Sequence, residues 1–139
     1  MHVSTRSLQI DYDIESDTLY LYSAKDRATR SVTFGNLNLD FGKDGSVIGL
    51  EFLDATATLP PLLLVTPKQL FKDKKLLKPE VLEKIKNAHV SLETAANFVV
   101  ISFWLEFDNA ILEEELECKL TLPTATQNQL RIAQKIARS

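Results

Sequence analysis

The sequence predicts an α+β fold in which two antiparallel β-meanders form a sheet, a helical connector joins them, and a C-terminal helix packs on the sheet. Three observations support this prediction. Apolar and polar residues alternate in both halves of the chain, as they do in half-buried strands. Prolines interrupt the middle of the chain. An apolar stripe with helical spacing follows Pro123.

The bulk composition is that of one globular domain spanning residues 1–139, with 45% hydrophobic and 25% charged residues. A net charge of −3 argues against a chain built to coat nucleic acid or an anionic membrane. Cys118 is the single cysteine, so no internal disulfide forms. The single cysteine is consistent with a reduced, cytoplasmic setting, which we expect. No apolar run is long enough to span a bilayer, so we expect no membrane association.

The first meander contains two hairpins. Leu8, Ile10 and Tyr12 alternate with polar residues, and the run TLYLYS returns after an acidic turn around residues 14–17. The apolar positions change from even to odd numbers after Phe34, which predicts a β-bulge at Gly35.

The second hairpin of this meander reverses at Asp44-Gly45. A two-residue type I′ turn there places apolar residues opposite one another on one face. The pairs are Phe41 with Ile48, Leu39 with Leu50, and Leu37 with Phe52.

The connector begins near Pro60-Pro61, which divides a first half (1–58) from a second half (59–139). Thr66-Pro67 is typical of a helix start. Pro79 opens PEVLEKIKNAH, where Val81, Leu82, Ile85 and Ala88 have helical spacing and His89 ends the helix. Two short helices are expected.

The second meander covers residues 89–122. A turn at Asn109-Ala110 and a reversal at Ala95-Ala96 bring the apolar faces of its three strands together. The predicted pairs are Phe107 with Leu112, Phe103 with Leu116, Val90 with Ile101, and Leu92 with Val99. After Pro123, a capping box at Thr124 or Thr126 starts the C-terminal helix.

The first half carries a recognisable pattern. It consists of Tyr12-Asp13, Asp17, Leu19-Tyr20-Leu21, Asp40-Phe41, Asp44-Gly45, Ile48-Gly49-Leu50-Glu51, and Leu53 to Ala55. Over about residues 8–56 the chain resembles the YuzE-like family of small prokaryotic domains of unknown function. It departs from that pattern at Gly42 and from residue 59 onward. The resemblance implies a compact β-rich module without an established activity, and an antitoxin-like or partner-binding role.

Asp40 and Glu51 lie diagonally across the predicted hairpin, on the face that also carries Gly49. Two such carboxylates could bind a divalent ion or act as an acid/base pair. Alternatively they form a solvated polar face, with Gly49 marking a place where a loop or another backbone approaches closely. They could also accept hydrogen bonds from a loop or pair with Arg27 or Arg30.

Other motifs for chemistry are weak. Four acids alternate from Asp11 to Asp17, but a calcium loop requires a glutamate at its twelfth position, where Tyr22 stands. His2 and His89 have no metal-ligand spacing with Cys118. No nucleophile elbow or phosphate-binding glycine loop occurs, so we expect no cofactor.

Charge is distributed unevenly. Residues 66–89 hold seven lysines against three acids, including Lys74 and Lys75, whereas residues 106–117 hold six acids and no base. Both segments could be solvated, or they could pair with each other or with a partner. Alternatively, the lysine-rich segment could bind the phosphates of a nucleic acid. Trp104 lies on an apolar strand face that a helix or a partner subunit must cover.

The sequence therefore favours a non-catalytic protein-interaction or regulatory module, with a homodimer as one version. A metal-dependent enzyme or metal-binding domain using surface carboxylates is the first alternative. The second alternative is nucleic-acid binding through the lysine-rich segment, which the overall charge disfavours.

Overall fold

The structure, a computed structural model, describes residues 5–65, 67–72, 76–94 and 99–122. Within these ranges the chain forms one sheet of eight antiparallel strands, in the order β3-β4-β5-β2-β1-β6-β7-β8. The strands are β1 (Arg6–Asp13), β2 (Thr18–Tyr22), β3 (Arg30–Phe34), β4 (Leu37–Phe41), β5 (Val47–Phe52), β6 (Ile85–Thr94), β7 (Val99–Phe107) and β8 (Leu116–Leu122). Helical structure in the described residues is limited to α1 (Ala55–Thr58), α2 (Pro79–Leu82) and the 3₁₀ turns Pro60–Leu62 and Lys68–Leu70.

Strand β1 is the junction between the two halves of the sheet. Its first residues, Arg6 to Leu8, pair with β6, and the rest, Gln9 to Asp13, pair with β2. The sheet curls around this junction. The evidence is that the ring centroids of Phe52 in β5 and Phe103 in β7 are only 5.4 Å apart. Three strands lie between them in the sheet order. In a flat sheet they would be about 19 Å apart, at about 4.8 Å per strand.

The concave side of the curled sheet holds the hydrophobic core. Strand residues of both halves alternate into it, and Leu19, Leu21, Leu39 and Phe41 are fully buried. The connector supplies further buried side chains to the same core: Leu59, Leu63, Leu70, Leu77, Val81 and Leu82. One continuous core therefore joins the two halves.

The connector also reaches the outer edge of β8. Leu63 forms an antiparallel bridge with Cys118, and the Leu64 amide donates to the Glu117 carbonyl at 3.0 Å. Part of the backbone of this edge strand is therefore hydrogen-bonded by a loop. This arrangement limits the exposure of unpaired backbone groups at that side of the sheet.

The predicted α+β class is wrong, because the described chain is mostly β and its helices are single turns. The helix expected to run from Pro79 to His89 ends at Leu82, and β6 starts at Ile85. A β-bulge between Ile85 and Asn87 shifts the inward face by one residue. The residues at helical spacing, Ile85 and Ala88, are thus both buried on a strand. Pairing with β1 and β7 on both sides favours the strand over the helix.

The central hairpin confirms most of its predicted register. Leu37 pairs with Phe52 and Leu39 with Leu50. At the tip, however, Phe41 pairs with Val47, and the Gly42 amide donates to the Ser46 carbonyl at 2.9 Å. The predicted Phe41–Ile48 pair and two-residue turn are wrong. The turn spans residues 43–45, and Ile48 becomes the extra residue of a bulge.

Gly35 does not form a bulge. It occupies the first position of a two-residue turn between β3 and β4 with φ of 56°, where a glycine is favoured. Phe34 pairs with Leu37 across this turn. The change from even to odd apolar positions therefore follows from the turn itself, which pairs even with odd residues.

The second meander has the predicted strand order with both registers shifted by two residues. Val90 pairs with Phe103 rather than Ile101, and Phe103 with Cys118 rather than Leu116. An even shift keeps the apolar faces together. The reversal at Ala95-Ala96, the Thr66 cap and the C-terminal helix after Pro123 lie outside the described residues.

We expect Phe103→Ala to lower the free energy of unfolding by about 3–5 kcal/mol, because it removes a fully buried ring that joins the two halves. Lys119→Ala, on an exposed position of the neighbouring strand, is the control, with a change within about 0.5 kcal/mol. Urea unfolding followed by circular dichroism measures both. A cost below about 1 kcal/mol for Phe103→Ala would contradict the role of this contact.

Candidate functional site

The convex side of the first half presents two rows of side chains that cross the strands. One row runs Asp11, Tyr20, Glu51 and Asn38, and the next runs Gln9, Tyr22, Gly49 and Asp40. We call the surface formed by Asp11, Tyr20, Tyr22, Asn38, Asp40, Gly49 and Glu51 the tyrosine face. Strand alternation creates it, since Leu19 and Leu21 point into the core and their neighbours point outward.

Two stacked tyrosines form the centre of the tyrosine face. The rings of Tyr20 and Tyr22 are 5.0 Å apart between centroids and inclined by 19°. Both side chains are half-buried. The stack gives this part of the sheet a rigid, partly exposed aromatic surface.

Asp40 fixes one of these rings. Its Oδ2 accepts a hydrogen bond from the Tyr20 hydroxyl at 3.0 Å, and its Oδ1 accepts one from Ser31 Oγ at 2.6 Å. To reach Tyr20, which lies on β2, the Asp40 side chain crosses over Gly49 of β5. A Cβ on Gly49 would lie 2.7 Å from Asp40 Oδ2 and 3.1 Å from its Cβ. The glycine therefore provides the space through which two non-adjacent strands are connected.

Glu51, the second carboxylate of the predicted pair, is hydrogen-bonded to Asn38. Its Oε1 accepts a hydrogen bond from Asn38 Nδ2 at 2.7 Å across the β4–β5 pair. Asp40 and Glu51 lie diagonally, as predicted from the register. In the described part of the chain neither forms an ion pair with Arg27 or Arg30. Both carboxylates accept hydrogen bonds, but from side chains on other strands and not from a loop as one alternative predicted.

The environment of Tyr20 changes its acidity. Partial burial, the hydrogen bond to Asp40 and the nearby negative charges raise the pKa of Tyr20 from the usual 10.0 to about 12. The phenol thus stays protonated at neutral pH and acts as a hydrogen-bond donor. Among the described residues, no group of three or more metal-ligating side chains comes together on this face or elsewhere.

The acidic turn has a structural role that the sequence did not indicate. Asp17 has a left-handed backbone (φ of 54°), and its carboxylate accepts hydrogen bonds from the Tyr12 hydroxyl at 2.7 Å and Thr56 Oγ1 at 2.6 Å. The Thr56 amide also donates to it at 3.2 Å. These contacts hold the start of α1 against the β1–β2 turn. Burial and Asp17 together raise the pKa of Tyr12.

Arg6 forms a second cluster, also unforeseen, at the opposite end of the hairpins. Its guanidinium contacts the carboxylates of Asp26 and Asp44 and donates to Ser46 Oγ at 3.0 Å. Hydrogen bonds from Ser23 and Ser46, respectively, lower the pKa of Asp26 and Asp44, and Arg6 adds to both effects. The cluster connects β1 to the β2–β3 loop, which contains Asp26, and to the β4–β5 loop, which contains Asp44 and Ser46.

Trp104 does not join the tyrosine face. Trp104 lies on β7 between His89 of β6 and Glu117 of β8, and it is half-buried. His89, on a strand rather than at a helix end, approaches Glu115 at 3.7 Å. Lys74 and Lys75 lie outside the described residues.

Two further findings bear on the sequence-based expectations. Burial raises the pKa of the Cys118 thiol, as in an unreactive structural cysteine. In the described part of the chain, no helix has the length and apolar character needed to cross a bilayer.

Comparison with known proteins gives a family match that is limited to the hairpins of the tyrosine face. A family model described as a protein of unknown function (DUF2283) matches residues 9–55. These limits nearly coincide with the segment in which the sequence pattern was noted. The comparison supports a relationship to a family of unknown function there, and the YuzE-like name stays a prediction.

Two curated proteins are similar over comparable lengths. An uncharacterized protein of Methanocaldococcus jannaschii is 33% identical over 49 residues, which cover 35% of this chain and 42% of that protein. A protein of Methanosarcina mazei, named "Putative hypoxanthine phosphoribosyltransferase", is 33% identical over 46 residues, covering 33% of this chain and 37% of that protein. The chain thus spans less than half the length of these relatives. No solved structure matches.

We expect Gly49→Ala to destabilise the protein by about 1–3 kcal/mol, because the new methyl group would overlap the Asp40 side chain. A loss of stability would be informative, because replacing a strand glycine by alanine ordinarily raises the free energy of unfolding by about 0.5–1 kcal/mol. Urea denaturation measures the change.

The double variant Gly49→Ala with Asp40→Ala is the matched control for this prediction. Asp40→Ala removes the contact with Oδ2 at 2.7 Å and leaves the contact with Cβ at 3.1 Å, so the cost of Gly49→Ala should be lower in this background than in the wild type. An equal cost of Gly49→Ala in both backgrounds would show that Asp40 is not the group it meets.

We also expect stability to decline at alkaline pH. The pKa of Tyr20 is raised in the folded protein, so its contribution is complete below pH 10.0 and is lost as the pH rises through about 12. Unfolding midpoints measured across this range should show a shallower decline for Tyr20→Phe than for the wild type. A decline of the same slope in both proteins would contradict the assignment.

Proposed function

We propose that this chain is a non-catalytic protein-interaction module that binds its partner through the tyrosine face. The observation that carries the proposal is the stacked pair of Tyr20 and Tyr22, half-exposed at the centre of that face. Tyrosine is enriched at protein interfaces because it offers a large contact area with little loss of side-chain entropy.

The surroundings of the pair favour binding over catalysis. Asp40 accepts two hydrogen bonds from within the chain, and Glu51 accepts one. Carboxylates used in this way orient the aromatic rings and the sheet surface. A rigid surface loses little conformational freedom when a partner binds.

The charge of the tyrosine face indicates the kind of partner. It carries Asp11, Asp40 and Glu51, and none of the residues that define it is basic. A partner with arginine or lysine side chains could pair with these carboxylates and contact the tyrosine rings. An antitoxin-like or other regulatory role is a specific form of this proposal, in which the partner is the regulated protein.

Tyr22→Ala tests the proposal. Tagged wild-type chain is used to isolate a partner from its native cell, and the dissociation constant of that purified partner is then measured by calorimetry. We expect Tyr22→Ala to weaken binding at least about tenfold, as for a central interface residue. Thr121→Ala, at an exposed position on the distant β8 strand, is the control and should bind like the wild type.

Circular dichroism and unfolding midpoints establish that both variants are folded before binding is compared. Equal affinity of the wild type and Tyr22→Ala would exclude the tyrosine face as the binding surface. Weaker binding by Thr121→Ala to the same extent would place the interface on the second half of the sheet.

A further inference from the structure

The two edges of the sheet differ in how their backbones are satisfied. At β8, Leu63 and Leu64 hydrogen-bond part of the outer edge. At β3, pairing with β4 occupies one side of the strand, and no described residue pairs with the other side. The strand Arg30–Phe34 therefore presents a row of backbone donors and acceptors for a further strand.

Strand β3 lacks most of the features that protect natural edge strands. Its sequence, RSVTF, has no proline and no lysine, and its register with β4 runs from Arg30 to Phe34 without a bulge. Val32 and Phe34 are only partly buried where they pack against the core. Addition of a strand would cover these side chains as well as pair the backbone.

We propose that β3 pairs in antiparallel fashion with β3 of a second copy of this chain, about a twofold axis through Val32. The sequence is complementary to itself in this register. Val32 faces Val32 of the other copy, Ser31 faces Thr33, and Arg30 faces Phe34. These are an apolar pair, a hydroxyl pair and a cation over an aromatic ring, and no like charges oppose each other.

The twofold arrangement has a consequence for the tyrosine face. Antiparallel pairing through β3 continues the sheet from one copy into the other, so residues of the same strand face lie on the same side. The tyrosine faces of the two copies would then form one surface. The proposal does not depend on the proposed function, since it rests on the backbone edge of β3 and on Val32, which lies on the core side of the strand.

Sedimentation equilibrium up to about 1 mM protein tests the association, a range that includes weak dimers. We expect the wild type to form dimers and Val32→Lys to raise the dissociation constant at least tenfold, because two ammonium groups would meet on the axis. Thr33→Lys, with the same charge one residue away on the other strand face, is the matched control and should dimerise like the wild type. A monomeric wild type, or a dimer unaffected by Val32→Lys, would overturn the proposal.

Cysteine crosslinking tests the register and does not rely on the stability of the lysine variants. In Val32→Cys the two thiols would be on the axis, with Cα atoms about 4.5–5.5 Å apart, within disulfide range. Diamide would take up the two electrons and two protons that the thiols release when the S–S bond forms. In Thr33→Cys the Cα atoms would be about 8 Å apart, beyond that range.

We therefore expect Val32→Cys to form covalent dimers at least tenfold faster than Thr33→Cys. Cys118, the single native cysteine, is fully buried and does not compete. Equal rates for the two variants would overturn the proposed register. If the chain stays monomeric and its β3 edge instead binds an extended segment of another protein, self-association is overturned and the edge has a different partner.

Discussion

The curl of the sheet at β1 is the constraint on which the rest of the structure depends. Because β1 changes partners between Leu8 and Gln9, two groups of strands face each other across a single core. The contact of Phe52 with Phe103 closes that core from the two sides. A flat sheet would leave each half with an exposed apolar face, and one-turn helices are too small to cover both.

The curl also separates structural from candidate functional residues. Concave positions are apolar and buried, so polar side chains of the matched family segment lie on the convex side or at the hairpin ends. There they form hydrogen-bonded units, namely Asp40 with Tyr20 across Gly49 and Asp17 with Tyr12 and Thr56. The first unit fixes the surface that we propose binds a partner, whereas the second holds α1 to the sheet.

The sequence predicted the strands of the first half well, because their alternation is regular and their turns are short. Leu37–Phe52 and Leu39–Leu50 follow directly from that pattern. The segment from Ile85 to Ala88 was misread as helix because a bulge in a strand produces the same apolar spacing as a helical turn. Asp40 and Glu51 were identified as a diagonal pair, because the hairpin register fixes their positions. The hydrogen bonds of Asp40 with Tyr20 and of Asp17 with Thr56 were not predicted, since each joins residues outside a single hairpin.

By itself, the sequence determined which strand faces are apolar and that antiparallel hairpins dominate each half, since both properties depend on neighbouring residues along the chain. The meander predicted for the first half is wrong, because β2 pairs with β5 and not with β3. Tertiary structure alone decided that residues 85–88 belong to strand β6, that the two halves share one core, and that Asp40 reaches Tyr20 over Gly49. Each of these depends on contacts between residues far apart in sequence, and their free energies exceed the weak local preferences that a single segment expresses.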